Sequence, residues 1–196
     1  MSEVSQNVRQ DLLREAGKLL RTQGHARISV RQVAIKAGVS SGAPYHHFPD
    51  RRALLIALAI DGFEQLMTIA KATIAFSQAD PAAMMRALAS EFLDFCSRNP
   101  ELADLMYESE LTRPIDEALK PAFQAIFDLL TRAVASVSGS ASEAVIVSRT
   151  LSFWATIFGL ARLSRNDLLE PFAAVQGTDW RDLIVAEATS ALLRED

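Results

Sequence analysis

The chain has 196 residues, of which 49% are hydrophobic and 22% charged, and its formal net charge is −4. A chain of this size buries roughly 70% of its unfolded surface without disulfide or metal staples, so wholesale disorder is excluded. The longest useful uncharged stretch, Thr150 to Ala161, has twelve residues, short of the roughly 20 that a membrane-spanning helix needs.

Helical periodicity runs along the whole chain, and no segment alternates convincingly with period two. Leu12, Leu13, Ala16, Leu19 and Leu20 recur at helical spacing in the first segment, and Gly24 sits where a helix-ending glycine belongs. Ser29 is the expected N-cap of a short second helix, with Val30, Val33, Ala34 and Ala37 on one face and Gly38 at its end. Ser40 or Ser41 caps a third helix, which Phe48-Pro49-Asp50 closes. Asp50 then caps a fourth, running through ALLIALAIDGFEQLMTIAKATIAF to about Ala79. Its length predicts that it connects two parts of the molecule. Asp80-Pro81 starts the next helix by an N-cap and a first-turn proline. Asn99-Pro100 starts a short one and Pro114 a longer one. Ser138 to Ser142, SGSAS, is a loop. Helices over 143–163 and 179–193 follow, with a looser segment around Pro171 and Gly177 between them. The expected fold is all-α, with about nine helices.

The charge is unevenly placed. Residues 1–52 hold nine Lys/Arg and four Asp/Glu, net +5, whereas residues 53–196 hold eleven and twenty, net −9. This fits either a polyanion-binding module on an acidic body or a chance clustering of solvated charges. The two short helices around Gly38 sharpen the choice. Ala34 allows a close helix crossing, Gly38 tolerates positive φ, and Val39 turns back into a core. Ser40, Ser41, Gly42 and Ala43 are small enough for a backbone to approach a phosphate strand. Tyr45, His46 and His47 follow and can reach phosphates or base edges in a major groove. On these residues alone, a helix-turn-helix and a helical hairpin inside a core both remain open.

Residues 9–58 resemble the DNA-binding domain of TetR-family transcriptional regulators. The family pattern runs from a glycine loop through Ser/Thr-x-x-x-Ile/Val-Ala and Ala-Gly-Val-Ser to Tyr-x-His/Tyr-Phe, then a basic residue and a Leu-rich helix. It is matched without gaps by Gly24, Ser29, Val33-Ala34, Ala37-Gly38-Val39-Ser40, Tyr45-His46-His47-Phe48, Arg51 and Leu54-Leu55. The resemblance implies a three-helix reading head over 1–52, joined by the long helix to a ligand-binding and dimerisation domain over 53–196. By position it implies that Ser29, Arg31, Ser41, Tyr45 and Arg51 face phosphates. It sets Gly42, Ala43 and His46 nearest base edges, and leaves His47 between a phosphate bond and packing. Ala43-Pro44 stands where the family usually has Thr-Leu, which removes a hydroxyl and puts a proline in the first turn of the recognition helix. A missing N–H costs little there, so that helix is expected to survive.

The remainder carries weaker signals. Arg98 to Leu111, RNPELADLMYESEL, and Trp154 to Leu163, WATIFGLARL, resemble segments of a TetR subgroup named for a Trp-His-Gly motif, with Phe158 at the usual His position. Phe92, Phe95, Met106, Phe123, Phe127, Phe153, Trp154 and Phe158 lie on four predicted helices. They are either plain core or, in part, the lining of an apolar ligand pocket. The resemblance places the dimer interface on the last two helices. There Val147 and Leu151 with Trp154 and Phe158, and Leu183, Ile184, Ala188 and Leu192, give apolar faces.

No catalytic residue, metal or cofactor is expected. Cys96 is the only cysteine, and it reads more readily as a small buried hydrophobe than as a redox sensor. His46 and His47 point about 100° apart on a helix, a poor chelating geometry. The first residues, MSEVSQNVRQDLLREA, hold no signal-peptide run, so a cytoplasmic protein without a membrane partner is expected. The expected function is a dimeric regulator, most commonly a repressor in this family. It would bind a near-palindromic double-stranded operator and be released by a small apolar effector. The competing expectation is a helical small-molecule or protein-binding adaptor with a non-functional helix-turn-helix.

Overall fold

The structure, a computed structural model, describes residues 3–77, 80–112, 114–170 and 179–193. Among the described residues there are eight α-helices, two 3₁₀ turns and no strand. The helices are α1 (Glu3–Gln23), α2 (Val30–Ala37), α3 (Arg51–Phe76), α4 (Pro81–Arg98), α5 (Pro100–Tyr107), α6 (Lys120–Val137), α7 (Glu143–Arg165) and α8 (Trp180–Leu192). The 3₁₀ turns cover His25–Arg27 and Ala43–His46. The expected looser segment around Pro171 and Gly177 lies outside the described residues.

Local caps set most of these boundaries. Asp50 Oδ1 accepts the Ala53 N–H at 2.7 Å, and Asp80 Oδ1 accepts the Ala83 N–H at 2.9 Å. Asp179 Oδ1 accepts from Arg181 and Asp182 at the start of α8, at 3.0 and 3.3 Å. Each bond satisfies a first-turn donor that has no partner inside the helix.

Two starts differ from the sequence expectation. The third helix, expected from Ser40 or Ser41 to Phe48, is a single 3₁₀ turn capped by Gly42 without a side-chain bond. Pro44 supplies the reason. Its missing N–H costs little in a first turn, but its ring disfavours helical geometry at the preceding Ala43. The surrounding amides therefore bond mostly three residues back: Ala43 to Ser40 O at 3.1 Å and Tyr45 to Gly42 O at 3.3 Å. Only Phe48, donating to Pro44 O at 2.8 Å, spans four. The helix expected at Pro114 begins at Lys120 instead. Asp116 Oδ1 accepts the Ala118 N–H at 2.9 Å and holds a turn there, while Leu111 and Leu119 are fully buried on either side.

Packing divides the chain into two compact units. One comprises the chain up to Glu64 with Asn99–Phe123, and the other comprises Gln65–Arg98 with Gln124 onward. In the first, Leu12, Ala16 and Leu20 bury one face of α1, and α5 packs on α1 and on the His25–Arg27 turn. This unit reaches beyond residue 52 because Leu105, Met106, Leu111 and Leu119 are all fully buried within it. Gly62 marks a close approach of α3 to α5. A Cβ there would lie 2.6 Å from Met106 Sδ and 3.0 Å from Leu102 Cδ1. Met106 is fully buried, so its side chain would have to shift within the core to make room. Gly62→Val should therefore destabilise the protein by about 2 kcal/mol or more through overpacking, read from urea denaturation. An unchanged midpoint would contradict this packing.

In the second unit α4, α7 and α8 pack on one another around Met85, Leu88, Leu93, Phe153, Ile157, Leu160, Val185 and Leu192. Arg181 ties the start of α8 to α4, donating from Nη2 to Ser90 O at 2.8 Å and to Asp94 Oδ1 at 2.5 Å. Two helices, α3 and α7, are long and apolar enough by length and composition to cross a membrane, although neither has an uncharged run of that length. Only 22% of the most apolar stretch of α7 is buried within the chain.

Candidate nucleic-acid interface

The turn around Gly38 is stiffly built. Ser29 and Gln32 form a reciprocal capping box at the start of α2: the Gln32 N–H donates to Ser29 Oγ at 3.2 Å and the Ser29 N–H to Gln32 Oε1 at 3.1 Å. Val30, Val33 and Ala34 bury the inner face of α2. Gly38 adopts φ 69°, ψ 24°, and the Val39 N–H closes the helix end on Ala34 O at 3.2 Å. Pro44 and Phe48 are buried on the far side of the turn. The Arg9 guanidinium lies 5.5 Å over the Phe48 ring, which joins α1 to this end.

This framework leaves a continuous polar stretch outside. Arg31, Ser40, Ser41, Gly42, Tyr45 and His46 are exposed, with Tyr45 at 50%. Ser29, Ala43, His47 and Arg51 are half-buried. Ser29 Oγ is engaged in the capping box, and the His47 ring lies 6.4 Å from that of Phe48. Ile35, 69% exposed on α2, was not among the expected residues. Its position opposite Val33 and Ala34 was the available signal. Among the described residues no group of three or more His, Cys, Asp or Glu is placed to hold a metal ion.

Arg51 is engaged inside the protein. Its Nε donates to Ile28 O at 3.0 Å, its Nη2 to His25 O at 2.8 Å, and its Nη1 to Glu110 Oε1 at 2.8 Å. The neighbouring Arg52 donates from Nε and Nη2 to Asp116 Oδ2 at 2.9 and 2.5 Å. His25 Nε2 lies 3.7 Å from Glu110 Oε2. These partners stand 59 and 64 residues apart along the chain, so no local pattern could have revealed them.

The bonds lower both carboxyl pKa values. The Arg51 side chain, followed by the backbone amide of Glu110, holds the Glu110 carboxyl below the usual range. The Ala118 amide, then Arg52, does the same for Asp116. A depressed folded pKa adds stability that is present above the unfolded value and lost as pH falls through the folded one. Between about pH 5 and pH 2.5 the melting temperature of the protein should thus fall more steeply than that of an E110Q/D116N variant. Parallel profiles would show that the two bonds contribute no pH-dependent stability.

Comparison with known proteins decides what this architecture is. The family model described as bacterial regulatory proteins, tetR family, matches residues 12–58. A second, described as the tetracyclin repressor-like C-terminal domain, matches residues 85–185. The chain belongs to the TetR family. It is 31% identical over 101 residues to the nucleoid occlusion factor SlmA of Photobacterium profundum, a match covering 51% of each chain. It thus spans about half the length of the curated relatives it matches. Across 95% of its length it superposes with a TM-score of 0.79 on 93% of a Rhodococcus sp. RHA1 protein of unknown function, at 30% identity. RolR, solved in complex with resorcinol, shares the fold with a TM-score of 0.66 at 16% identity, over 98% of this chain and 90% of that one. TetR-family regulators are non-enzymatic DNA-binding proteins, and they form dimers and bind small molecules.

The C-terminal residues expected in this TetR-family chain fall into different settings. Met106 and Phe123 belong to the first packing unit and the other six aromatics to the second. Phe95, Met106 and Phe153 are buried, and Phe123 packs edge-on to Phe63 at 6.1 Å. Phe92, Phe127, Trp154 and Phe158 are half-buried, and the last two stack with ring centroids 5.1 Å apart. A groove of about 200 Å³ runs between α7 and α8, lined by Ser148, Arg149, Ser152, Phe153, Thr156, Ala188, Ala191 and Leu192. Of the expected pocket residues it includes Phe153. On the expected dimer face Val147, Leu151 and Leu183 are exposed, whereas Ile184 and Ala188 are half-buried. Leu192 is occupied in the unit's own core. Leu163 and Leu193 are exposed leucines outside the expected set.

Proposed function

We propose that this TetR-family chain is a homodimeric repressor in the cytoplasm. Residues 1–52 read a near-palindromic operator, and residues 53–196 sense a small apolar molecule and dimerise. The observation that carries the reading is the rigid, glycine-ended turn presenting Arg31, Ser40, Ser41, Gly42, Tyr45 and His46 to solvent. Arg31, Ser41 and Tyr45 suit phosphates, with Ser29 held at the helix cap. Gly42, Ala43 and His46 suit base edges, and His47 suits either a phosphate or the packing it has against Phe48. The exposed Val147, Leu151 and Leu183 support an isologous α7–α8 interface. Such a dimer would space two reading turns about 34–36 Å apart, one turn of DNA.

For the effector, the half-buried Phe92, Phe127, Trp154 and Phe158 provide apolar surface. Resorcinol bound to RolR is one example of a small aromatic molecule held by this fold. An effector that prefers one of two half-site spacings would change DNA affinity by that preference alone.

Selection of bound genomic fragments with purified protein, repeated at higher salt, tests this reading. Enrichment of a palindromic site, lost steeply with salt, is the expected result. Failure to enrich any site at low salt would instead favour a helical adaptor, for which the shortened recognition turn at Pro44 is the supporting observation.

A further inference from the structure

The reading head does not stand alone in its compact unit. Residues 1–64 hold nine basic and six acidic residues, net +3, while residues 99–123 hold two basic and six acidic ones, net −4. Both segments fold into the same unit, so its DNA-binding part is packed against a segment of opposite charge. The pairings are specific. Glu110 takes Arg51 Nη1 at 2.8 Å and faces His25 Nε2 at 3.7 Å, and Asp116 takes both Nε and Nη2 of Arg52. Glu101 on α5 places its carboxylate against Gly24, in the same loop as His25.

Arg51 and Arg52 form the first turn of α3, where helix geometry already favours an anion. A DNA phosphate and a carboxylate ask for the same guanidinium forks. Asp116 is mostly buried, with 16% of its side chain exposed, whereas the Arg52 it holds is 52% exposed. In this pair the carboxylate is thus the fixed partner and the arginine the one that solvent, or a phosphate strand, can reach. In the other pair Arg51 and Glu110 are 37% and 48% exposed, so both remain open to solvent.

Building on the proposed DNA-binding function, we infer that Glu110 and Asp116 act as an internal competitor for DNA phosphate, a built-in acidic clamp that withholds Arg51 and Arg52 from the nucleic acid. Affinity for DNA is then set partly by the connection between α5 and α6. Any state of the protein that draws this connection away from α3 frees Arg52 and the Nη1 edge of Arg51, whose other two donors stay on Ile28 O and His25 O, and tightens binding. Any state that seats it weakens binding without altering the base-reading turn.

The test is an E110Q/D116N variant titrated with a 30-base-pair random-sequence duplex at several salt concentrations. The amides still accept hydrogen bonds from the two arginines, so the fold is retained while two negative charges leave. A thermal melt at pH 7.5 confirms that it folds, and E110Q alone serves if the double variant does not. Each additional phosphate neutralised by the protein steepens the logarithmic salt dependence by about 0.9, so a slope steeper by about 1 to 2 and affinity higher by about tenfold near 50 mM salt are expected. The control is E117Q, which removes a charge from the same segment at a residue that pairs with Lys120. It should leave slope and affinity as they are. Equal effects of E117Q and of the clamp substitutions would overturn the inference in favour of a general field. So would an unchanged slope, or weaker binding by a folded variant, which would make the carboxylates positioning groups. Wild-type protein that binds no duplex even at about 20 mM salt would remove the DNA-binding reading itself, and the clamp with it.

Discussion

A Leu151→Asp, Leu183→Asp double variant is expected to be a folded monomer whose affinity for the selected operator falls at least about a hundredfold. Both side chains are nearly half exposed, at 48% and 46%, so aspartate at these positions meets water in the isolated chain and its stability should change little. In an α7–α8 dimer the same carboxylates would be buried without partners, at a cost of several kcal/mol per charge. Once the dimer is lost, the second half-site is no longer bound intramolecularly. Linkage of this kind typically raises avidity by about 10² to 10⁴, which sets the scale of the loss. Sedimentation gives the oligomeric state and fluorescence anisotropy the affinity. A dimer that persists with both substitutions would move the interface elsewhere.

Arg51→Ala should lower stability by about 3 kcal/mol in the absence of any DNA. The side chain makes three bonds, to Ile28 O, His25 O and Glu110, and so fixes the loop that leads into α2. Its removal leaves two carbonyls and a carboxylate short of their donors. For a chain of this length the melting temperature should drop by roughly 6 to 12 °C. Arg51→Lys should recover less than half of that, because one ammonium cannot reproduce the planar fork that reaches three acceptors. An arginine serving DNA alone would leave the melting temperature of the free protein untouched. A melt without DNA therefore separates the two roles. It also bears on the clamp independently of E110Q, since Arg51 can be a staple for the His25–Ile28 loop whether or not Glu110 competes with phosphate.

Most of the helix boundaries were legible in the sequence because their causes act within four residues. Ser29, Asp50, Asp80 and Asp179 cap the helices that follow them, and Gly38 takes the left-handed conformation that ends α2. The family pattern was legible for the same reason, being a run of such local requirements from Gly24 to Leu55. Pro44 was visible too, but its consequence was not. A first-turn proline is compatible with an α-helix, and only the bonds spanning three residues in the folded chain show the turn settling as 3₁₀.

The sequence by itself determined the helical class, the order of the elements, the glycine-ended turn and the family. The tertiary structure alone decided that Arg51 and Arg52 lie on Glu110 and Asp116, that α5 shares a compact unit with the reading head, and that Leu192 packs inward while Leu151 and Leu183 stay bare. The physical reason is range. Caps, turns and periodicity are written in neighbouring residues, whereas an ion pair across some sixty residues, or the choice of which leucine on an apolar helix is covered, depends on which surfaces the folded chain brings together.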